Sequence, residues 1–62
     1  METIYANGRS GKYAAIEISG KVATMTKGRG VSTSQALKAL NSDADNWTFS
    51  HEASGLYFFR KA

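Results

Sequence analysis

The chain has no cysteine and no proline. Without cysteine no disulfide framework and no thiolate-held metal can supplement the core, and the absence suits a reducing cytosol. Without proline no rigid kink marks a boundary, so the punctuation of the chain falls to six glycines. Long apolar runs are missing too: the run 56–59 stops after four residues, against the ~18 that read as a membrane span. The opening residues METIYANG place an acid where a signal peptide carries bases, and no apolar stretch follows them. The expected location is the cytoplasm.

What is present fits one domain spanning all 62 residues. A chain this short buries only about 60 % of the surface that its unfolded form exposes, so its stability margin is small. With 42 % hydrophobic and 21 % charged residues the composition is nevertheless that of a folded domain rather than a disordered segment, able to fold alone or as a homodimer. Eight Lys and Arg against five acids give a charge of +3. That balance leans toward an anionic partner without requiring one, and where the charges sit says more than their sum.

The first half, TIYANGRSGKYAAIEISGKVATMTKGRG, reads as three strands at 2–6, 12–18 and 21–26, broken by NGRSG and by SG. If Ser19 and Gly20 form a two-residue hairpin loop, Ile18 faces Lys21, Ile16 faces Ala23 and Ala14 faces Met25. Directly opposed residues share a side of the sheet. One side is then apolar, and the other is a mixed surface of Tyr13, Ala15 and Glu17 with Val22, Thr24 and Thr26.

Next, VSTSQALKALNSD carries Ser32 three residues before Gln35, the spacing of a capping box. A helix over 33–41 follows, with Ala36, Leu37 and Leu40 as its apolar stripe. Alone it is too short to persist in water, so Leu37 and Leu40 are expected to dock on Ile16, Ile18 and Met25. The acids Asp43 and Asp45 read as turn formers. The last third, DNWTFSHEASGLYFFRKA, alternates Trp47, Phe49 and His51 with polar residues, turns at a glycine and runs through LYFFRK. It reads as a second hairpin whose last strand is covered on both faces or lies centrally. The fold class is α+β: a two-layer β-β-β-α-β-β domain, one antiparallel sheet with a single helix on one face.

The pair of glycines in GRGVST invites a phosphate-cradle reading. The dinucleotide fingerprint fails at Thr33, which replaces the third glycine. GRSGKY fails as a Walker loop, because the spacing before Lys12 is wrong and Tyr13 follows it. A strand-to-helix turn is the simpler reading of the glycines. Extending the hairpin register by one pair sets Lys12 opposite Lys27, a repulsive pairing that an anion would relieve. Arg29 follows nearby, Arg9 sits in the adjacent loop, and the helix start offers free N–H groups. Arg9, Lys12, Lys27 and Arg29 are therefore the candidate contact residues, with Tyr13 beside them; solvated loop charges are the plainer alternative. Tyr5, Tyr13 and Tyr57 could act as stacking platforms for unpaired bases, against ordinary cross-strand packing.

Catalysis finds little support. His51 is the single histidine, and without cysteine a zinc site would need carboxylates gathered from distant places. No nucleophile-elbow spacing occurs among the seven serines, and a chain this small has difficulty enclosing a pocket of ~300 Å³. No catalytic residue, metal or cofactor is assigned.

The stretch KYAAIEISGKVATMTKGRGVSTSQALKAL is similar to small β-β-β-α domains of the HicB antitoxin type, in which a short sheet runs into a hydroxyl-capped helix. It covers less than half the chain and lacks the Asp-Gly and Pro-Gly turns of such domains, so no functional residue is carried over. GRGVS is similar to the loop before the last helix of small archaeal chromatin proteins, whereas the aromatic hairpin after the helix is not. Neither likeness names a family. Two functions remain. In the first, the chain is a non-catalytic inhibitor or adaptor docking on another protein or nucleoprotein complex, of the kind that phages and mobile elements use as accessory or anti-defence proteins. In the second, it binds the backbone of DNA or RNA through the basic end of its sheet. Neither involves a membrane.

Overall fold

The computed structural model describes residues 1–42 and 45–62. Its elements are β1 (Glu2–Asn7), a 3-10 turn at Arg9–Gly11, β2 (Tyr13–Ser19), β3 (Val22–Thr26), α1 (Thr33–Leu40), β4 (Trp47–Ala53) and β5 (Leu56–Lys61). The strands form one antiparallel sheet in the order β1-β2-β3-β5-β4, with α1 packed on one face against β1 and β4. The expected α+β architecture is present. Asp43 lies outside the described residues. No helix among those described is long and apolar enough to cross a membrane.

The β2–β3 turn differs from expectation. Ser19 pairs with Val22, Ile18 with Ala23 and Ile16 with Met25, so the two-residue loop is Gly20–Lys21 rather than Ser19–Gly20. Two physical reasons favour this placement. Gly20 has φ +62, and a two-residue turn with glycine in its first position is a favoured hairpin geometry. The expected register would also have put Lys21 beside Ile18 on the apolar face, at the cost of desolvating an ammonium; in the loop it is exposed. The same dipeptide, Ser54–Gly55, does form the whole loop between β4 and β5, with both residues at positive φ (53 and 74).

Because the slip amounts to two positions in pairing, each side chain keeps its expected face. Ala6, Ala14, Ile16, Ala23, Met25, Trp47 and Phe59 are buried beneath α1, joined by Val31, Ala36 and Leu40. Phe59, Ile16 and Met25 are the largest fully buried side chains, each stabilising the fold by about 1.5–3 kcal/mol. Phe59 reaches this position because β5 lies between β3 and β4, the central placement that its aromatic run suggested.

The helix begins as the sequence indicates. Gln35 N donates to Ser32 Oγ (3.2 Å) and Ser32 N to Gln35 Oε1 (2.9 Å), a complete capping box. At the other end Asn41 is the C-cap, one residue short of the expected helix end. Its Oδ1 accepts from Trp47 N (2.7 Å) and its Nδ2 donates to Trp47 O (3.2 Å). These two bonds tie the end of α1 to the start of β4 and hold Trp47 over the core.

Candidate functional site

Among the described residues no element covers the face of the sheet opposite α1. Strand alternation puts Tyr5 of β1, Tyr13 and Ala15 of β2, Thr24 and Thr26 of β3, and Leu56 and Phe58 of β5 on it. Tyr5 and Tyr13 remain 61 % and 63 % exposed, their rings edge-to-face with centroids 6.0 Å apart. They neighbour each other because Tyr5 pairs with Ala15 and Tyr13 with Asn7, a diagonal contact across adjacent strands.

A hollow beside them arises from the strand pairing itself. β2 is laddered to β1 from Tyr13 to Ile18, and β3 to β5 from Val22 to Thr26, whereas the β2–β3 ladder ends at Ile16–Met25. Past that point β3 follows β5, and Lys27 N donates to Gly55 O (2.9 Å). The result is a groove of about 460 Å³ with Ala14, Ala15 and Thr26 among its lining residues, flanked by Tyr5, Tyr13, Lys12 and Arg29.

The loops carrying the cations are fixed by two close approaches. A Cβ on Gly8 would lie 2.1 Å from Gly30 O, and one on Gly30 would lie 2.4 Å from Lys12 Cδ. Gly8 thus seats the β1–β2 connection on the β3–α1 connection, and Gly30, at φ +79, leaves space for the aliphatic stem of Lys12. The second glycine of GRG serves a backbone turn and a packing contact. Both roles belong to the turn reading rather than to a phosphate cradle.

The four candidate cations all lie at this end of the sheet, but they do not form one cluster. Lys12 and Arg29 line the groove with Tyr13. Arg9 and Lys27 line a second hollow with Ser32 and Gln35 at the helix start. Lys12 does not face Lys27, since the β2–β3 ladder ends at Ile16–Met25 and β3 then follows β5; Lys12 and Arg29 instead line the groove that opens there. Lys27 Nζ donates to Glu52 Oε2 at 2.5 Å. That hydrogen bond, together with the carboxylate charge, raises the Lys27 pKa above its ordinary 10.5. Among the described residues Lys12 and Arg29 form no ion pair.

Tyr57 is no exposed platform: it turns to the covered side, half-buried against the core, and meets Phe49 at 6.0 Å. Tyr5 belongs to the groove as well, whereas hairpin pairing of β2 with β3 sets only Tyr13 beside the cations. The signal for Tyr5 was present in the alternation of ETIYAN, where Ile4 and Ala6 share one side. The splay between β2 and β3 had no such signal, because it follows from β3 continuing along β5 after its ladder with β2 has ended. His51 stacks on Phe58, with ring centroids 4.6 Å apart and planes at 3°, and its Nδ1 lies 2.9 Å from Ser50 Oγ. Among the described residues no three His, Asp or Glu side chains gather as metal ligands.

Comparison with protein-family models, with curated proteins and with solved structures finds no match to this chain.

Proposed function

We propose that this chain is a small, non-catalytic cytoplasmic binding protein, an inhibitor or adaptor that docks on another protein through the uncovered face of its sheet. One observation carries the reading: two tyrosines more than half exposed stand edge-to-face beside Lys12 and Arg29 at the rim of an open groove. Exposed aromatics in a folded domain of this size give up solvent contact only when a partner arrives, and Tyr and Arg are the side chains that most often anchor protein interfaces. The middle of the face is largely uncharged, with Ala15, Thr24, Thr26, Leu56 and Phe58, which suits the dry centre of an interface. The two cations favour an acidic rim on the partner.

Nucleic-acid backbone binding is the second reading, favoured by the same juxtaposition of tyrosine rings and cations. Against it, Glu17 stands on the same face, and Lys27 is already bonded to Glu52. The cations of this face stand at two ends, Lys12 and Arg29 at one and the exposed Arg60, paired with Val22, at the other, with Glu17 and uncharged residues between them rather than a continuous basic track. To separate the two, immobilised chain is exposed to a nuclease-treated lysate of its source cells, alongside Tyr13→Ala/Arg29→Ala. Protein docking predicts a bound protein that survives nuclease and is lost with the double variant. Oligonucleotide binding with a steep salt dependence, and no protein captured, would favour the second reading.

A further inference from the structure

The sheet has two edges, and they differ. β4 carries a bulge between Phe49 and His51, which interrupts the period of its outward backbone groups and guards an edge against pairing. β1 has no such device. It pairs with β2 residue for residue from Glu2 to Asn7, contains no proline, and has one charged residue, Glu2, at its start.

The direction of its free groups follows from one hydrogen bond. Gly8 N donates to Lys12 O (2.7 Å), which continues the β1–β2 register and marks Gly8–Lys12 as a hydrogen-bonded pair. Ladder alternation then turns the amides of Ala6, Ile4 and Glu2 toward β2 and those of Thr3, Tyr5 and Asn7 outward. We propose that β1 is a self-pairing edge: two copies of this chain join β1 to β1, antiparallel, about a twofold axis through Tyr5, forming one continuous sheet.

This register is singled out by the free groups. With Tyr5 opposite Tyr5 of the second copy, Thr3 falls opposite Asn7, and all outward N–H and C=O groups of both strands find partners. Sliding by two residues carries the amide of either Asn7 or Thr3 of each copy past the end of the partner's β1, according to direction, and sliding by one swaps the faces of the sheet. The same register sets Ile4 against Ala6 on the covered side. It also brings Glu2 of each copy level with Gly8 of the other, on the side where Lys38 borders the edge hollow with Tyr5, Asn7, Gln35 and Ala39. Each strand thus has an acid at one end and a base beside the other, so a second copy supplies both missing charges at once. A closed twofold contact of this kind uses one patch twice.

The pairing also deepens the docking reading and rests on it for its functional meaning. Tyr13 and Tyr5 of one copy would continue into Tyr5 and Tyr13 of the other, a single aromatic row on the uncovered face with Lys12 and Arg29 at both ends.

The test is sedimentation velocity of the full chain from micromolar to millimolar concentration with no partner present. The expected result is a concentration-dependent doubling of the 6.7 kDa mass. Thr3→Pro removes an outward amide at an edge position that tolerates proline, and should weaken the dimer about tenfold with the circular dichroism spectrum unchanged. Glu2→Lys should weaken it several-fold, with recovery in Glu2→Lys/Lys38→Glu; this surface pair decides the matter if the proline variant does not fold. A 6.7 kDa species at every concentration, or a dimer indifferent to both Thr3→Pro and Glu2→Lys, overturns the inference. A monomer that still captures its partner overturns the pairing alone, and a dimer whose partner capture ignores Tyr13→Ala/Arg29→Ala overturns the docking reading alone.

Discussion

On the covered face of the sheet Phe59 is fully buried and Trp47 5 % exposed, with Lys61 above the Trp47 ring; on the uncovered face Tyr5 and Tyr13 keep most of their surface in water. Both sets are aromatic residues on regular strands. The difference is one of strand parity and of where α1 lies: residues paired with Ala23 and Met25 fall beneath the helix, whereas Tyr5 and Tyr13 alternate with Ala6 and Ala14 and point away from it. Burial makes the first set part of the fold. Exposure leaves the second free for a partner, because removing it takes little from the folded state.

The comparison predicts unequal costs. Phe59→Ala should cost about 3–5 kcal/mol, most of what a domain of this size holds, and appear unfolded by thermal melting. Gly8→Ala, though far from the centre of the core, should cost about 1–3 kcal/mol because its methyl meets Gly30 O; chemical denaturation gives the value. Ser32→Ala removes one arm of the capping box and should cost about 1 kcal/mol in the same assay. Tyr13→Ala should lose less than about 1 kcal/mol, the worth of an aromatic pair, while abolishing partner capture. Equal losses for Tyr13→Ala and Phe59→Ala would erase the distinction between the faces. Smallest is the Lys27–Glu52 pair. Its lysine pKa is raised by the hydrogen bond that Lys27 donates to Glu52 and by the charge of that carboxylate, so the lysine's share of the stabilisation is complete below 10.5 and vanishes as pH climbs through the raised value. The thermal midpoints of the natural chain and Lys27→Ala should therefore differ slightly at neutral pH and converge at strongly alkaline pH.

Much of the covered face is legible in the sequence. The alternation of KYAAIEIS and KVATMT, the Ser32–Gln35 spacing and the aromatic run of β5 each name a local preference that the whole fold shares. The turn at residue 20 was less legible, since SG and GK are both acceptable loops and the choice depends on keeping Lys21 out of the core. The site was half legible. Lys12, Tyr13 and Arg29 do come together, by a different register from the one the Lys12–Lys27 pairing assumed, while Arg9 and Lys27 went to the helix side. Hairpin arithmetic describes two strands at a time. It contains no information on where β3 parts from β2, and that parting shapes the groove.

The measurement closest to the central claim is site-specific photo-crosslinking in source-cell lysate, with a photoreactive side chain placed either at Ala15 on the groove floor or at Ser34 on the exposed side of α1. Docking through the uncovered face predicts that the partner is labelled from position 15 and spared from position 34. Labelling from position 34 with none from position 15 would contradict it and move the contact to the helix.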